Sequence, residues 1–159
     1  MIRKKIIPYN KAARLAAFLR KKGRRIVFTN GCFDILHCGH ASYLNKAKRL
    51  GDVLFVGVNS DASVKAIKGN TRPINSLKDR MELLANLECV DYLCAFNETT
   101  PLELIKHVRP HILIKGADWK IHDIVGADFV KTYGGKAVRF PLKKGYSTTS
   151  LIKKLSWCK

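Results

Sequence analysis

The residues of this chain best suited to chemistry are two histidines three positions apart, His37 and His40. They follow the apolar run Ile26-Val27-Phe28 and a turn that opens with Asn30-Gly31. A helix that begins here directs its unpaired N–H groups and its positive dipole end at the same place as the imidazoles. Gly39 lets the backbone approach a ligand closely, because it has no Cβ. The pattern predicts a phosphate-binding site.

Two other interpretations of the histidines compete with this one. They are ordinary structural residues, or they bind zinc together with Cys32 and Cys38. The thiols do not form a Cys-x-x-Cys pair, and no second ligand pair follows at zinc-finger spacing. If the turn starts a helix, the histidines share one face and the cysteines point elsewhere. The combination of strand, glycine turn, histidine pair and helix favours phosphate.

Length and composition predict a single domain of 159 residues, 47% of them hydrophobic, which is enough for its own core. We expect an N-terminal helical segment over residues 1–24 and a catalytic core over 25–155. Five irregularly spaced cysteines and the lack of a signal sequence predict free thiols and a cytoplasmic protein. The longest apolar runs have the length of strands, so we expect no membrane span.

The charge is strongly positive, with 30 Lys and Arg against 12 Asp and Glu, a formal net charge of +18. Such an excess attracts polyanions. The basic residues are spread along the chain, however, without a basic tail, an aromatic single-strand platform or zinc-finger spacing. We therefore interpret the charge as suited to phosphorylated small substrates and expect no nucleic-acid partner.

The apolar pattern predicts strands that alternate with helices. The strands are expected at residues 26–29, 53–59, 92–96, 112–114 and 137–140. The helices are expected at residues 10–22, 41–50, 61–66, 76–87, 101–107 and 124–133, and from Ser147 or Thr148 to 155. Such alternation is typical of an α/β, Rossmann-like three-layer sandwich, with a parallel sheet of about five strands and helices on both faces.

Polar loops follow four of these strands, at residues 30–40, 59–61, 115–119 and 143–149, and all but the second contain glycine. Parallel sheets bind ligands beyond the carboxyl ends of their strands, where these loops should meet. Neither a P-loop nor a dinucleotide fingerprint is present. The chemistry that fits best is attack by a substrate phosphate on the α-phosphorus of a nucleoside triphosphate. This nucleophile is already ionised, so the enzyme has only to align the partners and stabilise the charge that develops.

Two motifs, His37-Cys38-Gly39-His40 and Gly145-Tyr146-Ser147-Thr148-Thr149, resemble the nucleotidyltransferase superfamily of cytidylyltransferases and pantetheine-phosphate adenylyltransferases. The resemblance extends over residues 26–155. Residues 58–63 and Arg72-Pro73-Ile74-Asn75 are similar to the branch that adenylylates D-glycero-β-D-manno-heptose 1-phosphate. That resemblance implies transfer of AMP from ATP to this sugar phosphate, which yields ADP-heptose and pyrophosphate for lipopolysaccharide core synthesis.

The resemblance also implies roles for individual residues. His37 and His40 are the expected catalytic residues, and Asn59, Lys68 and Arg72 the expected ligands of the sugar phosphate. The expected nucleotide-binding residues are Asn30, Gly31, Cys32, Phe33, Asp34, Gly39, Lys115, Gly116, Asp118, Tyr146, Ser147, Thr148 and Thr149. Mg²⁺ is expected on the ATP phosphates without protein ligands. A sugar kinase on a separate chain is an expected pathway partner, and the resemblance is also compatible with a homodimer.

Three alternatives remain open at this stage. A cytidylyltransferase acting on glycerol 3-phosphate or another polyol phosphate would share both motifs. A fragment of a class I aminoacyl-tRNA synthetase shares the histidine motif, but its Lys-Met-Ser-Lys-Ser loop and tRNA-binding domain are missing here. A basic RNA-binding module would show salt-sensitive affinity and no pyrophosphate release.

Overall fold

A computed structural model describes residues 4–116, 123–141, 146, 148, 151 and 152 of the chain. The five strands are β1 (Ile26–Gly31), β2 (Val53–Asn59), β3 (Tyr92–Phe96), β4 (Ile112–Gly116) and β5 (Lys136–Phe140). The helices are α1 (Tyr9–Lys21), α2 (Cys38–Lys48), α3 (Asp61–Lys68), α4 (Leu77–Ala85), α5 (Leu102–Val108) and α6 (Ala127–Lys131).

The strands form one sheet in the order β3-β2-β1-β4-β5, and every neighbouring pair is parallel. The chain builds outward from β1 through β2 to β3, and then crosses to the other side of β1 to form β4 and β5. The order therefore reverses between β1 and β4, which is where open parallel sheets form their binding crevice. The expected α/β, Rossmann-like sheet of about five strands is confirmed.

The core lies on both faces of the sheet, because successive residues of a strand point to opposite sides. On one face Phe28 and Phe55 pack with Leu104 of α5 and Ala12 of α1. On the other face Val27, Leu54 and Val56 pack with Leu44 of α2 and Leu84 of α4. All seven residues of β2 are buried, as its uninterrupted apolar sequence predicts for a strand covered on both sides.

Most predicted elements agree with the structure to within one or two residues, and the larger differences have local causes. Helix α2 begins at Cys38 instead of residue 41, because the His37 side chain caps it and accepts a hydrogen bond from His40 N–H. Helix α6 is shorter than the predicted range 124–133, and the residue before it, Gly126, has a left-handed φ of 87°. Strands β1 and β4 each extend two residues further, to Gly31 and Gly116.

The helix predicted from residue 147 to 155 lies mostly outside the described residues. Within the described part of the chain, no helix combines the length and the apolar character needed to cross a membrane.

Candidate active site

The histidine pair lies at the N-terminus of α2, directly beyond the end of β1. His37 is the N-cap, and its Nδ1 accepts a hydrogen bond from the backbone N–H of His40 at 3.3 Å. The two imidazoles stack with ring centroids 3.8 Å apart and planes inclined by 15°. Gly39 makes this arrangement possible, because a Cβ there would lie 2.9 Å from the His37 ring and 3.0 Å from Tyr146 Cβ.

The loop between β1 and α2 provides a second aromatic contact to the His40 ring, in addition to the stack with His37. Phe33 adopts a left-handed φ of 46°, and its buried ring meets that of His40 edge to face at 5.2 Å. Gly31 accommodates the same ring, because a Cβ at residue 31 would come within 3.1 Å of it. Left-handed backbone is unfavourable for a bulky residue, and such strain occurs often at binding sites.

The surroundings of the histidine pair lower the pKa of both imidazoles. Burial is the main cause for each ring. The neighbouring His37 adds to the effect on His40, whose pKa falls to about 4 even though the Ile35 carbonyl opposes the shift. His40 is therefore a neutral hydrogen-bonding group at pH 7 in the free protein.

A cavity of about 480 Å³ opens beside the pair at the carboxyl end of the sheet. It is lined by many of the residues predicted from the sequence: Asn30, Gly31, Cys32, Phe33, Asp34, His40, Asn59, Lys68, Arg72, Lys115, Gly116 and Thr148. All but Thr148 lie at or after the carboxyl ends of β1, β2 and β4, and Thr148 follows β5. His37, Gly39 and Tyr146 do not line the cavity, and they lie behind or beside His40. Asp118, Ser147 and Thr149 lie outside the described residues.

Four cationic side chains act electrostatically on the thiol of Cys32. Burial raises the pKa of Cys32, and Lys68, Arg80, Lys115 and Arg72 oppose that shift. Lys115 also donates a hydrogen bond to the backbone carbonyl of Asn30 at 3.3 Å, which joins β4 to the end of β1. The cavity is therefore electropositive where the loop after β1 crosses it, which suits a polyanionic ligand.

Asp34 connects the histidine loop to the loop that carries Arg72. Its buried carboxylate accepts hydrogen bonds from Arg72 Nε and from the N–H groups of Ile74 and Asn75. Burial acts to raise the pKa of Asp34, but the two N–H donors and the Arg72 guanidinium hold it below its usual range. The carboxylate is saturated by protein donors, so its role in this structure is to hold two loops of the cavity together.

Arg80 is a residue whose position the sequence interpretation missed. It is fully buried, and its guanidinium donates hydrogen bonds to the carbonyls of Cys32, Asn59 and Asn75 and to the carboxylate of Asp61. The loop after β1, the end of β2 and the start of α4 therefore meet on one side chain. Arg80 is three residues after Leu77 and four before Leu84, so the sequence places its charge on the apolar face of a helix. This spacing could have indicated a buried arginine.

The loop after β3 also reaches the cavity, which was not predicted. Thr99, Thr100 and Pro101 line it next to the end of β2. On the side of β4, the apolar residues Ile124 and Val125 contribute to its wall. The sequence contains only a weak signal for these positions, because hydroxyl and apolar residues without a motif occur in ordinary loops.

The zinc interpretation finds no support among the described residues, in which no group of three or more His, Cys, Asp or Glu side chains is placed to hold a metal ion. Cys32, Cys38, Cys89 and Cys94 are free thiols, as the irregular spacing predicts.

The fold and the cavity define a class of α/β protein with an electropositive cavity beyond the carboxyl ends of its parallel strands. Comparison with known proteins identifies the family. A family model described as cytidylyltransferase-like matches residues 28–154, and the chain belongs to this family.

Curated relatives with the name bifunctional protein HldE are similar to this chain over most of its length. The relative from a Nitratiruptor species is 57% identical over 140 residues, which cover 88% of this chain and 29% of that protein. The relative from Helicobacter pylori (strain Shi470) is 52% identical over 151 residues, covering 95% of this chain and 31% of that protein. The chain thus spans less than a third of the length of these relatives.

Two solved structures are also similar to this one. A lipopolysaccharide core biosynthesis protein from Thermoplasma volcanium GSS1 superimposes with a TM-score of 0.66 and 32% identity, covering 77% of this chain and all of that one. The pantoate-beta-alanine ligase from Francisella tularensis superimposes with a TM-score of 0.63 over 87% of this chain and 67% of that one. At 20% identity, the second structure shows a shared fold.

Proposed function

We propose that this protein is an adenylyltransferase that transfers AMP from ATP to D-glycero-β-D-manno-heptose 1-phosphate, giving ADP-heptose and pyrophosphate. The family membership and the similarity to the HldE proteins support the proposal. So does the similarity to a protein of lipopolysaccharide core biosynthesis. The proposed setting is the cytoplasm, where ATP is available and where a sugar kinase supplies the acceptor. The proposal also includes that the protein forms a homodimer.

The observation that carries the proposal is the convergence of His40, Lys68, Arg72 and Lys115 on one cavity at the switch point of the sheet. Two phosphate groups that react with each other need cations on both sides to reduce their repulsion. Lys68 and Arg72 belong to the elements that follow β2, whereas Lys115 lies at the end of β4. The cavity can therefore neutralise two phosphorylated ligands that meet in front of β1.

The proposed reaction needs no group that removes a proton. An oxygen of the acceptor phosphate attacks the α-phosphorus of ATP and forms the new P–O bond. The bond from the α-phosphorus to the oxygen that bridges it to the β-phosphate breaks, and pyrophosphate leaves with that electron pair. His40 donates a hydrogen bond to the α-phosphate as its charge increases, and a bound triphosphate raises the pKa of the imidazole by favouring its protonated form.

Mg²⁺ fits this site as an ion carried by the triphosphate. Asp34 is the carboxylate among the described residues that line the cavity, and three N–H donors already occupy it. The ligands of a bound Mg²⁺ would come mainly from phosphate oxygens and water, as is usual for this ion. When bound, it would neutralise charge on the leaving pyrophosphate.

The test is pyrophosphate release by the purified protein with Mg²⁺ and heptose 1-phosphate, with ATP and CTP compared at equal concentration. We expect release with ATP and formation of ADP-heptose, detected by mass spectrometry. Release that requires CTP and glycerol 3-phosphate would keep the chemistry but replace the substrates. A folded protein that releases no pyrophosphate with either pair would contradict the proposal. Retention of RNA that weakens steeply with salt would then favour the binding module.

A further inference from the structure

The two sides of the cavity differ in their chemistry. In the sheet order, the loop after β3 lies beside the end of β2, and both are on the opposite side of β1 from β4. On the β4 side, Gly116, Ile124 and Val125 offer backbone and apolar surface. On the β3 side, the lining includes two adjacent residues with hydroxyl side chains, Thr99 and Thr100. These hydroxyls lie on the same side as Lys68 and Arg72.

The loop that carries the two threonines is held in place by hydrogen bonds from buried residues of β2 and α3. The Asn59 side-chain amide donates to Ser63 Oγ at 2.9 Å, and the Ser63 hydroxyl donates to the Glu98 carbonyl at 2.7 Å. The Ser60 N–H donates to the Phe96 carbonyl at 2.9 Å. Asn59, Ser60 and Ser63 are all buried. The end of β2 and the start of α3 therefore fix the chain immediately before Thr99.

Neither threonine hydroxyl is used within the described structure. Thr99 and Thr100 are exposed and form no hydrogen bond to another described residue. By contrast, the Tyr43 hydroxyl in the same cavity is bonded to Thr29 Oγ1 at 2.7 Å. A threonine hydroxyl can both donate and accept a hydrogen bond, so it can pair with a sugar hydroxyl in either direction. Two such groups on a fixed loop can recognise a polyhydroxylated ligand.

We propose that Thr99 and Thr100 bind hydroxyl groups of the acceptor sugar while Lys68 and Arg72 bind its phosphate. This inference rests on the proposed function, and it assigns the selection of the sugar to the loop after β3. The nucleotide then occupies the other side of the cavity, where Gly116, Ile124 and Val125 offer backbone and apolar surface to the flat face of a base.

The test compares steady-state kinetics of the wild-type protein, the double variant Thr99→Val/Thr100→Val and the variant Thr99→Ser/Thr100→Ser. Valine keeps the shape of threonine and removes the hydroxyl, whereas serine keeps the hydroxyl. Thr71→Val is the matched control, because Thr71 is exposed and does not line the cavity. The KM for heptose 1-phosphate, the KM for ATP and kcat are measured for each protein, and circular dichroism checks the fold.

We expect the valine variant to raise the KM for heptose 1-phosphate about tenfold, since each lost hydrogen bond weakens binding by a moderate factor. The KM for ATP and kcat should change less than about twofold, because the contact is made equally in the ground and transition states. The serine variant and Thr71→Val should resemble the wild type.

An unchanged acceptor KM in the folded valine variant would overturn the inference. So would an equal rise in the KM for ATP, which would assign the hydroxyls to the nucleotide. If the double valine variant does not fold, the single variants Thr99→Val and Thr100→Val are measured instead. A raised acceptor KM in a folded single variant would support the inference, and an unchanged acceptor KM in both would overturn it. Failure of the proposed function differs from all of these outcomes, because the wild-type protein would then form no ADP-heptose.

Discussion

His37 and His40 stack face to face, with ring centroids 3.8 Å apart. Burial disfavours the charged form of each ring, and at His40 repulsion from a charged His37 ring adds to this effect. The pKa of both is accordingly lowered, that of His40 to about 4. The fixed positive charge of the cavity therefore comes from Lys68, Arg72 and Lys115, and the histidine pair supplies hydrogen bonds whose protonation responds to the ligand.

Replacement of His40 by alanine should lower kcat for pyrophosphate release. We expect a decrease of about 10²- to 10³-fold, the size seen when one donor to a developing oxyanion is removed. His107→Ala is the control, because His107 is exposed and lies on α5. The initial rate of pyrophosphate release at saturating concentrations of both substrates, followed in a coupled assay, measures the effect. A kcat for the His40 variant within a factor of about three of the wild type would exclude a direct role in the transition state.

Protonation of His40 should also destabilise the folded state in mild acid. Its pKa is about 4 in the folded protein and about 6.5 in an unfolded chain. Between these values the unfolded state binds the additional proton, so the free energy of unfolding decreases as the pH falls from 6.5 towards 4. The loss attributable to this group is up to about 3 kcal/mol.

Urea unfolding at several pH values from 7 to 4 measures this loss. The variant His40→Gln should be less sensitive to acid than the wild type across that window, while His107→Gln should follow the wild type. Equal pH dependence of all three proteins would show that His40 titrates normally in the folded state.

The sheet could be predicted from the sequence because its signals are local. The apolar run of six residues that begins β2 predicted a buried strand, and the apolar pattern after Ser76 predicted α4; the structure confirms both elements. The cavity could be predicted in outline, since parallel strands place the residues after β1, β2 and β4 at one edge. The helix start at Cys38 was missed because histidine is an uncommon N-cap, and it is the side chain of His37 that accepts the capping hydrogen bond.

What could not be predicted from the sequence depends on contacts between distant segments. The hydrogen bonds from Arg80 to the carbonyls of Asn59 and Cys32 reach 21 and 48 positions back in the chain. The saturation of Asp34 by Ile74 and Asn75 joins residues about 40 positions apart. Neither partner set follows from periodicity or from a motif. The same holds for Thr99 and Thr100, which reach the cavity only because β3 lies next to β2.

Asp34→Asn should destabilise the fold. The carboxylate is 2% exposed and accepts from Arg72 and from two backbone N–H groups. An amide at this position brings N–H hydrogens towards donors and leaves Arg72 without its counterion. We expect a loss of about 3 kcal/mol in the free energy of unfolding at pH 7.

Chemical denaturation at pH 7 measures this effect. Asp128→Asn is the matched control, because the Asp128 carboxyl is 90% exposed in its pair with Lys131; it should change stability by less than about 1 kcal/mol. The pKa of Asp34 lies below its usual range, so the wild-type advantage should persist above about pH 4 and decrease only at lower pH. Equal stability of Asp34→Asn and the wild type would contradict the anchoring role.

Arg80→Lys should destabilise the protein although it keeps the positive charge. A lysine ammonium cannot reproduce the planar fork that bonds the carbonyls of Cys32, Asn59 and Asn75 and the Asp61 carboxylate. We expect a loss of about 2–4 kcal/mol, because buried carbonyls lose their donors. Thermal unfolding of this variant is compared with that of Arg49→Lys, which alters an exposed arginine. A melting temperature equal to that of the control would show that charge alone is sufficient at residue 80.

Gly39→Ala should impair activity without unfolding the protein. The added Cβ would lie 2.9 Å from Cε1 and Nδ1 of His37 and 3.0 Å from Tyr146 Cβ. These distances are shorter than a normal contact, so the His37 ring must move away from its stack on His40. Alanine is otherwise favourable within a helix, by up to about 1 kcal/mol relative to glycine, and this gain offsets part of the strain.

The expected result for Gly39→Ala is therefore a kcat lowered about tenfold or more, with a melting temperature near that of the wild type. Ser42→Ala, one turn further along α2, is the control for a small substitution that meets no such obstacle. Wild-type kcat in a folded Gly39→Ala protein would mean that the stacked geometry is not needed for the reaction. A decrease in both kcat and melting temperature would assign the effect to the fold instead. We expect kcat to fall while the melting temperature stays the same, because the added Cβ meets the His37 side chain and Tyr146. The buried sheet is not affected.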